Sequence, residues 1–243
     1  MSDLKARLEH VRSRIAEAAL CSRRDPASIT LVAVSKTHPA EALLEAIDAG
    51  ITTFGENKVQ EAAEKIKTVG RRARWHLIGH LQSNKARRAA AIFDCIQTVD
   101  SAELAARLDR ICAEIGRQRL DVQIQVDLAG EASKSGIEPS RVTDLAEFMT
   151  RLERIRLTGL MTIPPFFEDP QSVRPFFRRL REIRDKLAEK SLFADGLTGE
   201  LSMGMSHDFE VAIEEGATIV RIGTAIFGER AYPVKNLPLD GSL

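Results

Sequence analysis

Hydrophobic positions along the chain fall into two alternating patterns. Short, continuous apolar runs are typical of buried strands, and longer segments whose apolar residues recur every three or four positions are typical of helices that cover a core. The first such segment predicts a helix at 3–20. Eight strands are predicted after it, at 29–36, 51–55, 74–79, 94–99, 121–128, 156–163, 199–203 and 218–223. The helices predicted between and after them lie at 39–49, 57–68, 81–92, 101–116, 138–152, 171–190 and 206–215, with a short one near 224–230.

This order of elements predicts an α/β fold with parallel strands. Strands that alternate with helices are joined by right-handed crossovers. Eight such units in 243 residues match the size of a closed (β/α)8 barrel of the TIM type, here with an extra N-terminal helix and a single domain spanning 1–243. An open doubly wound sheet is the alternative. It would usually have a glycine-rich first turn, whereas the first turn here is SKTHP at 35–39.

The charge balance argues against a nucleic-acid partner. Lysine and arginine total 35 and so do aspartate and glutamate, so the formal charge is zero. A neutral chain has no global field that would attract nucleic acid or an anionic membrane. The basic clusters at 71–74 and 85–88 are interpreted as solvated faces.

Other bulk features predict a cytoplasmic protein without a membrane partner. The three cysteines have neither paired nor metal-binding spacing, which suits a reducing compartment. The N-terminus lacks the apolar core of a signal peptide, and no apolar run has the length of a membrane span.

Lys36 is the most informative single residue, because it closes an apolar, β-branched run at 29–36. In a barrel of this type, function lies at the carboxyl ends of the strands. A lysine amine that is partly desolvated there has a lowered pKa and can attack a carbonyl to form a Schiff base. The alternative is a lysine that merely extends its amine into water from a strand end.

Two turns at the ends of the last two strands form a candidate phosphate site. The segment SMGMS at 202–206 leads into a predicted helix, and RIGT at 221–224 closes the last strand. Free backbone N–H groups at such turns bind phosphate, and phosphate sites after strands seven and eight recur in this architecture. Ser206 is also a plausible helix N-cap, which is the simpler interpretation of that turn.

Barrel closure would bring the first strand beside the eighth, and with it Lys36 beside both turns. A Schiff-base lysine, a phosphate cup and an arginine facing a ring nitrogen, here Arg221, are the parts of a pyridoxal phosphate site. An arginine at the pyridine nitrogen keeps that nitrogen unprotonated, which weakens the cofactor as an electron sink.

Six segments resemble the pyridoxal phosphate homeostasis proteins. They are AVSKT at 33–37, FGEN at 54–57, WHLIGHLQSNK at 75–85, GLMTI at 159–163, SMGMSHDF at 202–209 and VRIGTAIFG at 220–228. The resemblance covers nearly the whole chain in order. It implies a single-domain barrel related to the N-terminal domain of alanine racemase, without established catalytic turnover, that buffers or delivers pyridoxal 5′-phosphate and keeps vitamin B6 pools in balance.

The same resemblance implies roles for nine residues. Lys36 would hold the cofactor covalently, Arg221 would face the pyridine nitrogen, and the phosphate would be bound by Ser206, Gly223 and Thr224. The pocket would be lined by Asn57, His80, Met161 and Ser202. Partners would be the cofactor and, further, enzymes that receive it; we expect a monomer. One departure from many relatives is Lys58 after the Gly-Glu-Asn segment, which bears on the outer wall of the pocket.

An amino-acid racemase is the alternative function. Alanine racemase uses a tyrosine as its second proton-transfer residue, contributed with the help of a C-terminal β-domain. The sequence ends at Leu243 and its single tyrosine is Tyr232, so no second base is evident.

Two further constellations are interpreted as structural. Glu56 is interpreted as a charged residue beside the first turn of the helix 57–68 rather than as a general base. His76 and His80 have the spacing of a metal pair on a helix, but they lie on a predicted strand and are not expected to converge. We therefore predict no metal site.

Overall fold

The apolar runs form eight parallel strands that close into a barrel in the order of the chain. The structure is a computed structural model and describes residues 3–130 and 135–228. The strands are β1 (Thr30–Val34), β2 (Thr53–Glu56), β3 (Arg74–Leu77), β4 (Cys95–Val99), β5 (Leu120–Gln125), β6 (Ile155–Met161), β7 (Glu200–Ser202) and β8 (Ile219–Ile222). The predicted (β/α)8 barrel is confirmed, and each predicted strand overlaps an observed one.

The helices lie outside the barrel and follow the predicted order. They are α1 (Asp3–Cys21), α2 (Ala40–Asp48), α3 (Val59–Val69), α4 (Ala86–Ile92), α5 (Ala102–Glu114), α6 (Val142–Met149), α7 (Arg174–Glu189), α8 (Phe209–Glu214) and α9 (Thr224–Phe227). The extra N-terminal helix α1 is confirmed. The predicted short helix near 224–230 ends at Phe227, and its last two positions, like Tyr232 and the ends of the predicted domain 1–243, lie outside the described residues.

The amphipathic helices bury one face in the core. In α5 the Ser101 side chain accepts a hydrogen bond from the Leu104 N–H and so begins the helix. The buried residues of that helix, Leu104, Leu108 and Ile111, recur at the three- and four-residue spacing that the sequence pattern predicts. Burial of such side chains contributes roughly 1.5–3 kcal/mol each to stability.

Three predicted helices begin later than expected, because their first turns are 3₁₀ turns. These turns are Ser83–Lys85 before α4, Pro139–Arg141 before α6 and Pro170–Val173 before α7. Proline fixes the first residue of the last two, and the Asp169 side chain accepts a bond from the Gln171 N–H at the third. No described helix is long and apolar enough to cross a bilayer.

Strand register fixes which side chains point into the barrel. Paired residues of neighbouring parallel strands point to the same side. Gly55 is paired with His76 and His76 with Cys95, so the inner face of β3 and β4 carries polar side chains. The barrel therefore encloses polar groups, which need partners inside it.

Candidate functional site

The turn after β8 packs on the end of β1, next to Lys36. β1 pairs with β8 from Thr30↔Ile219 to Ala33↔Ile222. A Cβ added at Gly223 would lie 3.1 Å from the Val34 carbonyl oxygen, so the backbone of this turn packs closely on the end of the first strand. Lys36 is two residues beyond Val34 and is half-buried. The predicted proximity of Lys36 to the last turn is therefore present in the backbone.

The two candidate phosphate turns are joined by a hydrogen bond. The Gly223 N–H donates to the Ser206 hydroxyl oxygen at 3.3 Å. Within the described residues, the N–H groups of Ser206 and Thr224 have no acceptor. Several backbone N–H groups that converge in one concavity form an anion site. The two turns thus fit the phosphate of the predicted cofactor.

Ser206 does not cap helix α8, so the simpler interpretation of this turn is wrong. The helix begins at Phe209, three residues later than predicted, after the N-cap Asp208. The Asp208 carboxylate instead accepts a 2.6 Å hydrogen bond from the Met205 N–H, which holds residues 205–208 as a turn. Burial raises the Asp208 pKa, against the opposing effects of that backbone bond and the nearby Arg221 charge. The Ser206 hydroxyl is thereby left to bond Gly223.

Arg221 is buried beneath these turns. Its guanidinium donates to the Ser202 hydroxyl at 2.7 Å and to the Thr162 carbonyl at 2.8 Å. Burial lowers the Arg221 pKa to about 10, with Asp208 acting in the opposite direction. The side chain is therefore still a cation at neutral pH, held in a fixed orientation by two acceptors.

A hydrogen-bonded chain continues from Arg221 into the barrel. The Ser202 hydroxyl donates to the Gln97 side-chain oxygen at 2.7 Å, and the Gln97 side-chain nitrogen lies 2.8 Å from His76 Nδ1. Burial, with a smaller effect of Arg74, lowers the His76 pKa to about 3. His76 is therefore neutral, and its Nδ1 accepts from Gln97. Met161 pairs with Ser202 and is completely buried beside this chain.

Asn57 and His80 lie at a separate crevice of about 240 Å³ at the same end of the barrel, with Gln125 and Asp127 also on its walls. The Asn57 and Gln125 side-chain oxygens are buried and have no partner among the described residues, so the crevice offers acceptors to a bound molecule or water. The His80 side chain is 55% exposed, with its Nδ1 3.9 Å from Asp100. It is therefore a rim residue.

Comparison with known proteins agrees with this geometry. The sequence-family model of the alanine racemase N-terminal domain matches residues 7–231 of this chain. The chain is 45% identical to the pyridoxal phosphate homeostasis protein of Vibrio cholerae, over 96% of this chain and 98% of that one. It is 44% identical to the Escherichia coli protein of the same name, over 97% of this chain and the whole of the other.

This chain belongs to the pyridoxal phosphate homeostasis protein family.

Solved structures agree with the family assignment. PipY of Synechococcus elongatus, solved with pyridoxal phosphate bound, is 39% identical, with a TM-score of 0.81 over 93% of this chain and 100% of that one. An alanine racemase from Clostridium difficile is 17% identical, with a TM-score of 0.70 over 95% of this chain and 57% of that chain. At that identity the likeness shows the fold alone.

Glu56 does not have the role that the sequence predicted for it. It is the last residue of β2 and is completely buried, whereas the acidic residue in the first turn of α3 is Glu61. Its carboxylate lies 2.6 Å from the Lys65 amine. Burial raises the Glu56 pKa, although hydrogen bonds from Lys65 and Ser35 oppose that effect. Glu56 is therefore one partner of a buried ion pair. It is not a solvated charge at the first turn of α3.

His76 and His80 do not converge. His76 lies within β3 and is buried in the barrel, whereas His80 follows the strand and is exposed. Within residues 3–130 and 135–228 no group of three or more histidine, cysteine, aspartate or glutamate side chains could hold a metal ion.

Proposed function

We propose that this family member binds pyridoxal 5′-phosphate through Lys36 and serves intracellular vitamin B6 homeostasis as a carrier or buffer of the cofactor, without catalytic turnover. When bound, the cofactor supplies an aldehyde carbon with which a lysine amine combines. The observation that carries the proposal is the packing of Gly223 on Val34, since the turn after β8 therefore lies beside the strand that leads to Lys36. The cofactor in PipY and the shared name of the curated relatives support it.

Each site residue has a distinct part in this proposal. Ser206, Gly223 and Thr224 bind the phosphate through their N–H and hydroxyl groups, and Arg221 faces the pyridine nitrogen. A guanidinium with a pKa of about 10 keeps its own proton at neutral pH, so it donates a hydrogen bond to that nitrogen without protonating it. Ser202 accepts a hydrogen bond from Arg221, Met161 lines the pocket beside Ser202, and Asn57 and His80 line it from the neighbouring crevice. The alanine racemase of Clostridium difficile is 17% identical, which shows the fold alone, whereas the relatives at 45% and 44% identity are named homeostasis proteins, so a racemase is not favoured.

The partners and the place of action belong to the same proposal. The recipients are enzymes that lack their pyridoxal phosphate, and the protein acts as a monomer in the cytoplasm. A carrier must release its ligand, and the half-buried position of Lys36 leaves the attachment point within reach of free amines.

Reductive labelling tests this function. The protein is incubated with pyridoxal phosphate, reduced with borohydride and digested, and the labelled peptide is mapped by mass spectrometry. We expect a visible absorption band that reduction removes, and the label on Lys36. Lys36→Arg should abolish both, whereas Lys67→Arg, a change of an exposed lysine on α3, should leave both intact. A label on Lys58, Lys65 or Lys85 in place of Lys36 would refute the assignment.

A further inference from the structure

A buried network of charges lies directly behind Lys36, between β1, β2 and α3. The Lys65 amine donates to the Glu56 carboxylate and to the Glu61 carboxylate, both at 2.6 Å, and to the Ser35 carbonyl oxygen at 2.7 Å. The Lys65 and Glu56 side chains are only 7% and 0% exposed. Burying charges is costly even when they are paired, so such a network is weak evidence for a purely stabilising role.

This network reaches the residues on both sides of Lys36. On one side, the Ser35 hydroxyl donates to Glu56 at 2.6 Å, and the Ser35 carbonyl accepts from Lys65. On the other side, the Thr37 N–H donates to Glu61, also at 2.6 Å. Since Lys65 joins the two carboxylates, one ammonium group connects the peptide before Lys36 to the peptide after it.

Thr37 has a backbone conformation that threonine rarely adopts. Its φ is +70°, in the left-handed region, and it is the one β-branched residue with a positive φ in the described part of the chain. Such a conformation costs on the order of 1–3 kcal/mol and persists only where surrounding contacts enforce it. Glu61 is the contact on the Thr37 N–H. The network therefore offsets strain at the residue next to Lys36.

We infer that Lys65, together with Glu56 and Glu61, is a positioning residue that fixes the backbone on both sides of Lys36 and so presents its amine to the phosphate turns. The inference rests on the proposed attachment of the cofactor at Lys36. Without the ammonium, the two carboxylates repel each other, Glu61 releases the Thr37 N–H, and Thr37 relaxes toward negative φ. That rotation redirects the Lys36 side chain.

Matched substitutions on helix α3 test this inference. Lys65→Met removes the junction of the network, and Lys67→Met removes an equal charge from an exposed position paired with Glu64. Glu61→Leu removes the acceptor of the Thr37 N–H at a partly exposed position, with the exposed Glu64→Leu as its control. The second pair keeps the inference testable where Lys65→Met prevents folding.

Two measurements decide the outcome. The first is hydrogen exchange of the Thr37 amide in protein that carries no cofactor, and the second is the release rate of pyridoxal phosphate from loaded protein. We expect both rates to rise at least tenfold in Lys65→Met and Glu61→Leu relative to their controls, under conditions where urea titration shows each variant to be folded. Release rates equal to those of the controls would overturn the inference, whether or not the variants are less stable. The network would then only stabilise the packing of α3 on the barrel.

The same data separate this inference from the proposed function. Failure of borohydride to label Lys36 in the unmodified protein refutes the function itself. Labelling of Lys36 with unchanged rates in the variants refutes only the positioning role.

Discussion

The Arg221 guanidinium donates a 2.7 Å hydrogen bond to the hydroxyl of Ser202, and Ser202 is completely buried while Arg221 is 3% exposed. A buried cation needs such acceptors because they replace the hydrogen bonds that it would otherwise make to water. Ser202 also donates to Gln97, so its one hydroxyl serves a cation on one side and an amide on the other. Removal of the Ser202 hydroxyl should therefore lower the stability of the fold as well as the affinity for the cofactor.

Ser202→Ala should lower the free energy of unfolding by about 1–3 kcal/mol, because it leaves Arg221 and Gln97 each short of a partner. Urea titration of the cofactor-free protein measures this change. Ser172→Ala, on the exposed surface, is the control and should alter stability by less than about 0.5 kcal/mol. Equal values for the two variants would contradict a structural role for the Ser202 bonds.

Ser206→Ala should weaken pyridoxal phosphate binding by about 1–2 kcal/mol, since it removes a hydroxyl bond in the proposed phosphate site. The matched control is a second ligand, pyridoxal, which lacks the phosphate and should lose much less affinity. Titrations followed by absorbance give both constants. Equal losses for the two ligands would show that this turn does not hold the phosphate. Ser206 is preferable to Gly223 for this test, because a Cβ at Gly223 would also crowd the Val34 carbonyl oxygen.

Glu215→Gln should destabilise the fold by about 1–3 kcal/mol, because it removes the charged acceptor of arginines that are themselves partly exposed. The Glu215 carboxylate is surrounded by Arg174 at 3.0 Å, Arg178 at 3.2 Å and Arg181 at 3.1 Å. Urea titration at pH 7 measures the loss, and Glu214→Gln, on the exposed neighbour, should cost much less.

The pH dependence of stability checks the same carboxylate. Burial alone would raise the Glu215 pKa, but hydrogen bonds from Arg178 and Arg174 outweigh it and lower that pKa below the ordinary 4.5. The carboxylate therefore contributes stability above the unfolded pKa, and the contribution is lost as pH falls through the lowered folded pKa. Unfolding titrations from pH 7 to pH 3 should show a steeper loss in the unmodified protein than in Glu215→Gln. Parallel curves would contradict the assignment.

The loaded protein should transfer cofactor without turning over amino acids. Arg221 retains its proton and would leave the pyridine nitrogen a weak electron sink. Incubation with L- and D-alanine should give racemisation far below typical enzyme rates of about 1 per second or faster. Racemisation at such rates would overturn the carrier role. In parallel, the loaded protein should activate a cofactor-free aminotransferase, and failure to do so would contradict delivery.

The barrel and its chemical end could be predicted because both depend on local patterns. Apolar runs at regular spacing mark each strand, and a lysine or a glycine at a strand end stands out against them. Lys36 and Gly223 were found in this way, and barrel closure places their strands side by side. Element type follows from periodicity, since only burial of one face satisfies a repeating pattern.

The network behind Lys36 could not be predicted, because its members look ordinary in sequence. Lys65 lies on an amphipathic helix, where most lysines are solvated, yet it is buried and bonded to Glu56 at the end of β2 and to Ser35 just after β1. The left-handed Thr37 carries no signal, since its residue type favours the opposite conformation. At α8 the preference for serine at helix N-caps favours Ser206. The Asp208 side chain instead accepts the Met205 N–H, and the helix begins at Phe209.

Closure of the ring between β1 and β8 makes the proposed site a product of the whole chain. The lysine leaves the ribosome early and the last turn leaves it late, so a nascent chain has no complete pocket until the eighth strand has taken its place beside the first. A substitution anywhere in the barrel that weakens the pairing of β1 with β8 would separate the Lys36 amine from the phosphate turns. The fraction of protein that holds the cofactor would then report whether the barrel is closed, and it would respond to changes far from the residues that contact the ligand.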